Sequence, residues 1–140
     1  MFEENGPLRL VTVDGKTQVH SLDNAWTAVA NVIYIDNPLG VGFSNGFSGH
    51  TEEEIARTFY DFMKKFYLEF PEYKDNPFYI TGESYGGHYI PNMALHILNQ
   101  EESVVPLKGI MIGNPYVDAV LQRLYVRHLA FAVGMIHLDW

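Results

Sequence analysis

Apolar residues along this chain follow three rhythms: alternating, unbroken, and recurring at three to four. "LRLVTVDGKTQVH", residues 8–20, holds two β-rich runs around Asp14-Gly15. That pair accepts the positive φ of a tight turn, so the stretch predicts an antiparallel hairpin. "NAWTAVA" follows as a short connector of helical character. "NVIYID", Asn31 to Asp36, is apolar almost throughout and of strand length, the pattern of a strand covered on both faces. "NPLGVGFSNGFSG", residues 37–49, reads as a glycine-rich loop.

The pattern then turns helical. Thr51 and Glu54 stand in a T-x-x-E capping box, and Ile55, Phe59, Phe62 and Phe66 recur at helical spacing. The helix runs to about Phe70 and stops at Pro71, and its Phe59, Phe62 and Phe66 stripe is read as core. "NPFYITG" predicts a second buried strand, "GGHYIPNMALHILNQ" a helix with Pro91 near its first turns, and "LKGIMIG" a third strand. A last helical stretch covers roughly Val117 to Val133. The order is hairpin, then β-α-β-α-β-α, which implies a mostly parallel sheet with right-handed crossovers and helices on both faces. Ligands in such sheets bind beyond the carboxyl ends of the strands.

At one of these ends lies Gly82-Glu83-Ser84-Tyr85-Gly86, a G-x-S-x-G pattern between a predicted strand and a predicted helix. In that context it predicts a nucleophile elbow: the glycines make room, the bend lifts the Ser84 hydroxyl clear of the sheet, and the Tyr85 amide faces a developing oxyanion. The positive end of the following helix adds to the field. A plain structural β-turn is the alternative reading.

Composition narrows the chemistry. The 140 residues have the length of one domain and are 47% hydrophobic, as in globular chains. With 17 acidic and 9 basic residues the net charge is −8, and no Lys/Arg cluster exists to displace counterions, so no nucleic-acid partner is expected. No run approaches the ~18 apolar residues of a membrane span. "MFEENGPLRL" has neither the basic region nor the apolar core of a signal peptide. Without cysteines there are no disulfides or thiolate metal sites, and no metal or cofactor is expected. "TEEE" reads as the capped, dipole-matched start of a helix, not as a metal site. "NPLGVGFSNG" lacks the order of a phosphate loop.

"GESYGGHYIP" resembles the signature of serine carboxypeptidases, whose usual form is G-E-S-Y-A-G-x-Y-x-P. "FEENGP", "ANVIYIDNPLGVGFS", "FPEYKDNPFYITGESYGGHYIP" and "LKGIMIGNPYVD" each resemble a segment of that family, in order, over most of residues 2–118. The resemblance implies an α/β-hydrolase fold and release of C-terminal residues of peptides through an acyl-enzyme on Ser84. It further implies that Tyr85 supplies an oxyanion amide and that Glu83 and Glu4 bind the substrate's C-terminal carboxylate. Two close glutamates disfavour double ionisation and can share a proton, which then donates to a carboxylate; raising the pH would strip it. By analogy with the family, a lysosome-like vacuole or the secretory path is the expected compartment.

The general base and acid are harder to find. Hydrolases of this fold place Ser, Asp and His in that order. Only Asp118 and Asp139 follow Ser84 with any interest, with His128 and His137 beyond Asp118. His128 lies in a helical run, and Asp118 falls in a family segment whose aspartate is not the triad acid. His88 and His96 read as helix-face residues, and His20 and His50 as hairpin or loop residues. In the resembled family the triad Asp and His come from a long C-terminal region, and an N-G-G-P-G-C-S-S loop upstream supplies the other oxyanion amide. Residues 1–140 are therefore expected to form a single partial domain that hydrolyses peptides negligibly alone. An upstream strand of the family's sheet normally separates "NVIYID" from "FYITG", so those two are expected to face a gap or to re-pair. A lipase or esterase with the same elbow, and an inactive binding module of the same fold, are the rival readings.

Overall fold

A computed structural model describes residues 2, 4–47, 49 and 51–137. His50 and Asp139 lie outside the described residues. The chain forms two compact units, residues 1–36 and 37–140.

In the first unit, β1 (Leu8–Val13) and β2 (Lys16–Ser21) pair antiparallel with Val13 opposite Lys16. The predicted turn forms: Asp14 and Gly15 have φ of +50° and +73°, so both central residues are left-handed as a two-residue hairpin loop requires. Trp26–Ala28 is one turn of 3-10 helix, with the Trp26 amide donating to the Asn5 carbonyl at 3.1 Å. The Tyr34 hydroxyl reaches the same carbonyl at 3.2 Å.

Residues 31–36 do not form the expected strand. Among the described residues both sheets hold two strands, 8–13 with 16–21 and 78–83 with 107–113, and neither includes this segment. Ile33 and Tyr34 are exposed. Apolar, β-branched composition supplies the propensity for a strand but not the neighbour that must receive its hydrogen bonds.

In the second unit, α1 (Glu52–Glu69) starts at the predicted capping box: the Thr51 hydroxyl accepts from the Glu54 amide and the Glu54 carboxylate accepts from the Thr51 amide, both at 3.3 Å. The buried face of α1 is Ile55, Ala56, Phe59, Tyr60, Met63 and Tyr67. Phe59 is core as expected, but Phe62 is exposed and Phe66 only half-buried. The buried stripe runs through positions 63 and 67, about 100° round the helix from 62 and 66. Phe66 instead gathers a flank of rings with Phe62, Phe70 and Tyr73.

The second sheet pairs β3 (Phe78–Glu83) parallel to β4 (Leu107–Gly113), with Ile80 opposite Ile110 and Glu83 opposite Gly113. α2 (Gly86–Leu98) packs on it and buries Gly87, Ile90, Met93, Ala94 and Ile97. α1 packs alongside α2, where Tyr60 meets His96 edge to face and the Val104 amide donates to the Tyr60 hydroxyl at 3.3 Å. The second strand, expected to be buried, is covered on one face only: Ile80 is buried, but its neighbours Tyr79 and Thr81 are exposed. A parallel strand is buried on both sides only when helices cover both, and α2 is the helix in contact with β3 and β4. α3 (Ala119–Ala132) buries none of its side chains.

Candidate active site at the end of the third strand

β3 ends at Glu83, and the next residue leaves the sheet abruptly. Ser84 has φ +53°, a left-handed conformation that costs a residue with a Cβ about 1–2 kcal/mol. Tyr85 is already near helical dihedrals at the N-cap of α2, with no side-chain cap. A strand, one strained serine and a helix follow each other without a linker, which is the geometry of an elbow. Ser84 is exposed, so the bend presents its hydroxyl to solvent.

The flanking glycines are not equivalent. A Cβ on Gly82 would come within 2.8 Å of the Ile90 Cδ1, a tight contact with the end of a side chain that can turn aside. On Gly86 a Cβ would meet the same atom at an ordinary 3.5 Å. The position is thus open to the alanine that the resembled signature carries. Gly87 is the tight one: its Cβ would lie 2.7 Å from the Tyr116 carbonyl oxygen and 2.9 Å from the Pro115 Cβ. The motif drew attention to Gly86, whereas the contact that needs a glycine is at Gly87, because only tertiary structure brings residues 115 and 116 there.

Backbone hydrogen bonds hold the bend. The Ser84 amide donates to the Gly113 carbonyl at 3.0 Å, and the Ser84 carbonyl accepts from the amides of Gly87 at 3.0 Å and Tyr116 at 2.8 Å. Asn114, at the end of β4, is itself left-handed with φ +42°. Among the described residues the Tyr85 amide donates to no acceptor, and the Ser84 hydroxyl has no hydrogen-bond partner.

Around the elbow lies a ring cluster that the sequence reading did not single out. Tyr85 packs against His88 at 4.7 Å between centroids and against Tyr89 at 4.9 Å, and His88 meets Tyr116 at 5.4 Å. The Tyr85 hydroxyl donates to the Glu52 carboxylate at 3.2 Å. This bond to an anion, more than any burial, pushes the phenol above its ordinary range. Spacings of three and four along α2 were the available signal for the His88 and Tyr89 part of the cluster. Glu52 and Tyr116 enter only through the fold.

Glu83 closes β3 and is exposed. Glu4, left-handed at φ +50°, belongs to the turn before β1 in the other unit. Asp118 caps α3, its carboxylate accepting from the Leu121 amide at 2.8 Å. His128 sits on exposed α3 beside Tyr125, and His96 contacts Tyr60 and Gln100. No group of three His, Cys, Asp or Glu suited to a metal ion occurs among the described residues, nor does any helix there have the length and apolarity to cross a membrane.

A profile of the serine carboxypeptidase family matches residues 1–139. The chain belongs to that family. It is 39% identical over 145 residues to serine carboxypeptidase S10 family member 1 of Dictyostelium discoideum, a match covering 99% of this chain and 34% of the relative. It is 46% identical over 127 residues to serine carboxypeptidase-like 28 of Arabidopsis thaliana, covering 83% and 27%. Among solved structures it resembles Kex1(delta)p, a prohormone-processing carboxypeptidase from Saccharomyces cerevisiae, with a TM-score of 0.84 and 29% identity. That match covers 96% of this chain and 31% of the other. The chain thus spans about a third or less of these serine carboxypeptidases, and its fold is the corresponding part of their α/β-hydrolase architecture.

Proposed function

We propose that this chain carries the nucleophile of a serine-type carboxypeptidase, with Ser84 as the attacking residue. The observation that carries the proposal is the left-handed, exposed Ser84 between β3 and α2. Ser84 Oγ attacks the last peptide carbonyl of a substrate and forms an acyl-enzyme; the C-terminal residue leaves with its new amine, and water releases the acyl group. The Tyr85 amide and the N-terminus of α2 stabilise the negative charge on the carbonyl oxygen during attack. Glu83, next to the nucleophile, and Glu4 are the residues proposed to receive the substrate's free carboxylate. A lysosome-like vacuole or the secretory path is the proposed setting.

Among the described residues no general base is assigned: Asp118 caps α3 and His128 lies on the exposed α3. Without its base the Ser84 hydroxyl is activated only by its exposed position on the elbow and by the Tyr85 amide, so it reacts slowly. A fluorophosphonate probe at high concentration is therefore expected to form an adduct on Ser84 slowly but in preference to the other serines, absent in Ser84→Ala, with turnover of blocked dipeptides near background. No adduct on Ser84 supports the rival reading of an inactive binding module. Turnover at an enzymatic rate overturns the assignment of base and acid to other residues. Hydrolysis of an ester equally fast with its neighbouring carboxylate free or blocked supports an esterase.

A further inference from the structure

The oxyanion donor proposed above is one end of a peptide unit whose other end is held. The Ser84 carbonyl and the Tyr85 amide belong to a single trans peptide, so their C=O and N–H vectors point in opposite directions. The carbonyl is pinned twice, by the Gly87 amide from within the turn and by the Tyr116 amide from the end of β4. The first bond is local and comes with the start of α2. The second is long-range, at 2.8 Å the shorter of the two, and exists because Asn114 takes a left-handed φ of +42° immediately after β4. Gly87 lets residues 115–116 approach this closely.

We infer that the Tyr116 backbone amide, delivered by the Asn114 turn, is a positioning group for the Tyr85 oxyanion donor. It acts in two ways. With two donors on the carbonyl, the peptide plane cannot rotate without breaking a bond, so the Tyr85 N–H stays aimed away from the sheet. A carbonyl that accepts hydrogen bonds also polarises its own peptide, making the N–H at the other end a stronger donor. The Ser84 amide, donating to Gly113, ties the preceding peptide to the same strand end. β4 thereby holds both peptide planes that flank the strained serine.

This inference rests on the reading of Ser84 as nucleophile, and the test separates the two. In the full 140-residue chain, Tyr116 is replaced by its α-hydroxy acid, which deletes the amide hydrogen and keeps the side chain. The amide resonance of Tyr85 and the rate of Ser84 labelling by a fluorophosphonate are both measured. The expected result is an upfield move of the Tyr85 amide proton, with resonances of α1 unchanged, and labelling slowed about threefold to tenfold, the factor of one ordinary hydrogen bond. An unmoved Tyr85 resonance in a folded ester variant overturns the inference whatever the labelling shows. A shifted resonance with unslowed labelling overturns the positioning role. Absence of labelling in the unsubstituted chain counts against the nucleophile, while the Tyr85 resonance still decides the coupling. If the ester variant does not fold, Asn114→Gly and Asn114→Val substitute for it: glycine keeps the left-handed turn and should retain the Tyr85 shift, and valine should lose it. Equal shifts in the two variants overturn the inference.

Discussion

Two adjacent glycines at the start of α2 should respond to the same substitution with opposite signs. In Gly86→Ala the new Cβ meets Ile90 Cδ1 at 3.5 Å, ordinary contact, and Gly86 is not among the residues with positive φ. The main effect is then a less flexible unfolded chain, a gain of about 0.4–1 kcal/mol. In Gly87→Ala the Cβ lands 2.7 Å from the Tyr116 oxygen and 2.9 Å from the Tyr116 carbonyl carbon, backbone atoms that cannot rotate away, and 2.9 Å from the Pro115 Cβ. Overpacking of this kind costs about 1–3 kcal/mol. Moving residues 115–116 aside also stretches the 2.8 Å bond from the Tyr116 amide to Ser84, worth about 1 kcal/mol. The expected gap between the variants is about 2.5–5 kcal/mol. With a urea slope of about 2 kcal/mol per molar, that separates their midpoints by roughly 1–2.5 M. Helix ellipticity at 222 nm is the readout, since α1, α2 and α3 all belong to residues 37–140. A Gly87→Ala midpoint at or above that of the unsubstituted chain would refute the packing argument. So would a Gly86→Ala as damaging as Gly87→Ala.

Ser84→Gly should raise stability by about 1 kcal/mol by relieving the left-handed Cβ while abolishing probe labelling; a loss of stability would show that the serine side chain is held, not strained. Met63, with 0% exposure in the α1 face, should cost about 2–5 kcal/mol when changed to Ala, against under about 0.5 kcal/mol for a polar change at exposed Arg57, measured by the same urea melts. Thr51→Ala should cost about 1 kcal/mol by removing half the capping box, and Thr51→Ser should restore most of it. Glu52→Gln should bring the Tyr85 phenol back down toward its ordinary 10.0, seen as an earlier rise of tyrosinate absorbance on titration with base. The sign follows from the direction: the folded pKa is raised, so the Glu52–Tyr85 contribution is complete below pH 10 and disappears as pH climbs through the higher folded value. An unchanged titration in Glu52→Gln would mean that the hydrogen bond does not form in solution.

Local chemistry determined much of what is visible here. Asp14-Gly15 required a left-handed turn, Thr51 and Glu54 could satisfy each other's amides within one turn, and G-x-S-x-G could relieve crowding at a bend. Each depends on residues a few positions apart, so the sequence alone carries it. Other features depended on what lies across the fold. "NVIYID" has the composition of a strand yet remains outside both sheets, because ladder partners are a property of neighbouring chain segments. Phe62 and Phe66 have the spacing of core residues, but the facing surface of α2 selected Met63 and Tyr67. Nothing within residues 82–91 shows that Gly87 is the glycine without room for a methyl, or that the Ser84 carbonyl is held by Tyr116. Both follow from a parallel pairing that carries the end of β4, some thirty residues later in the chain, to the elbow's side.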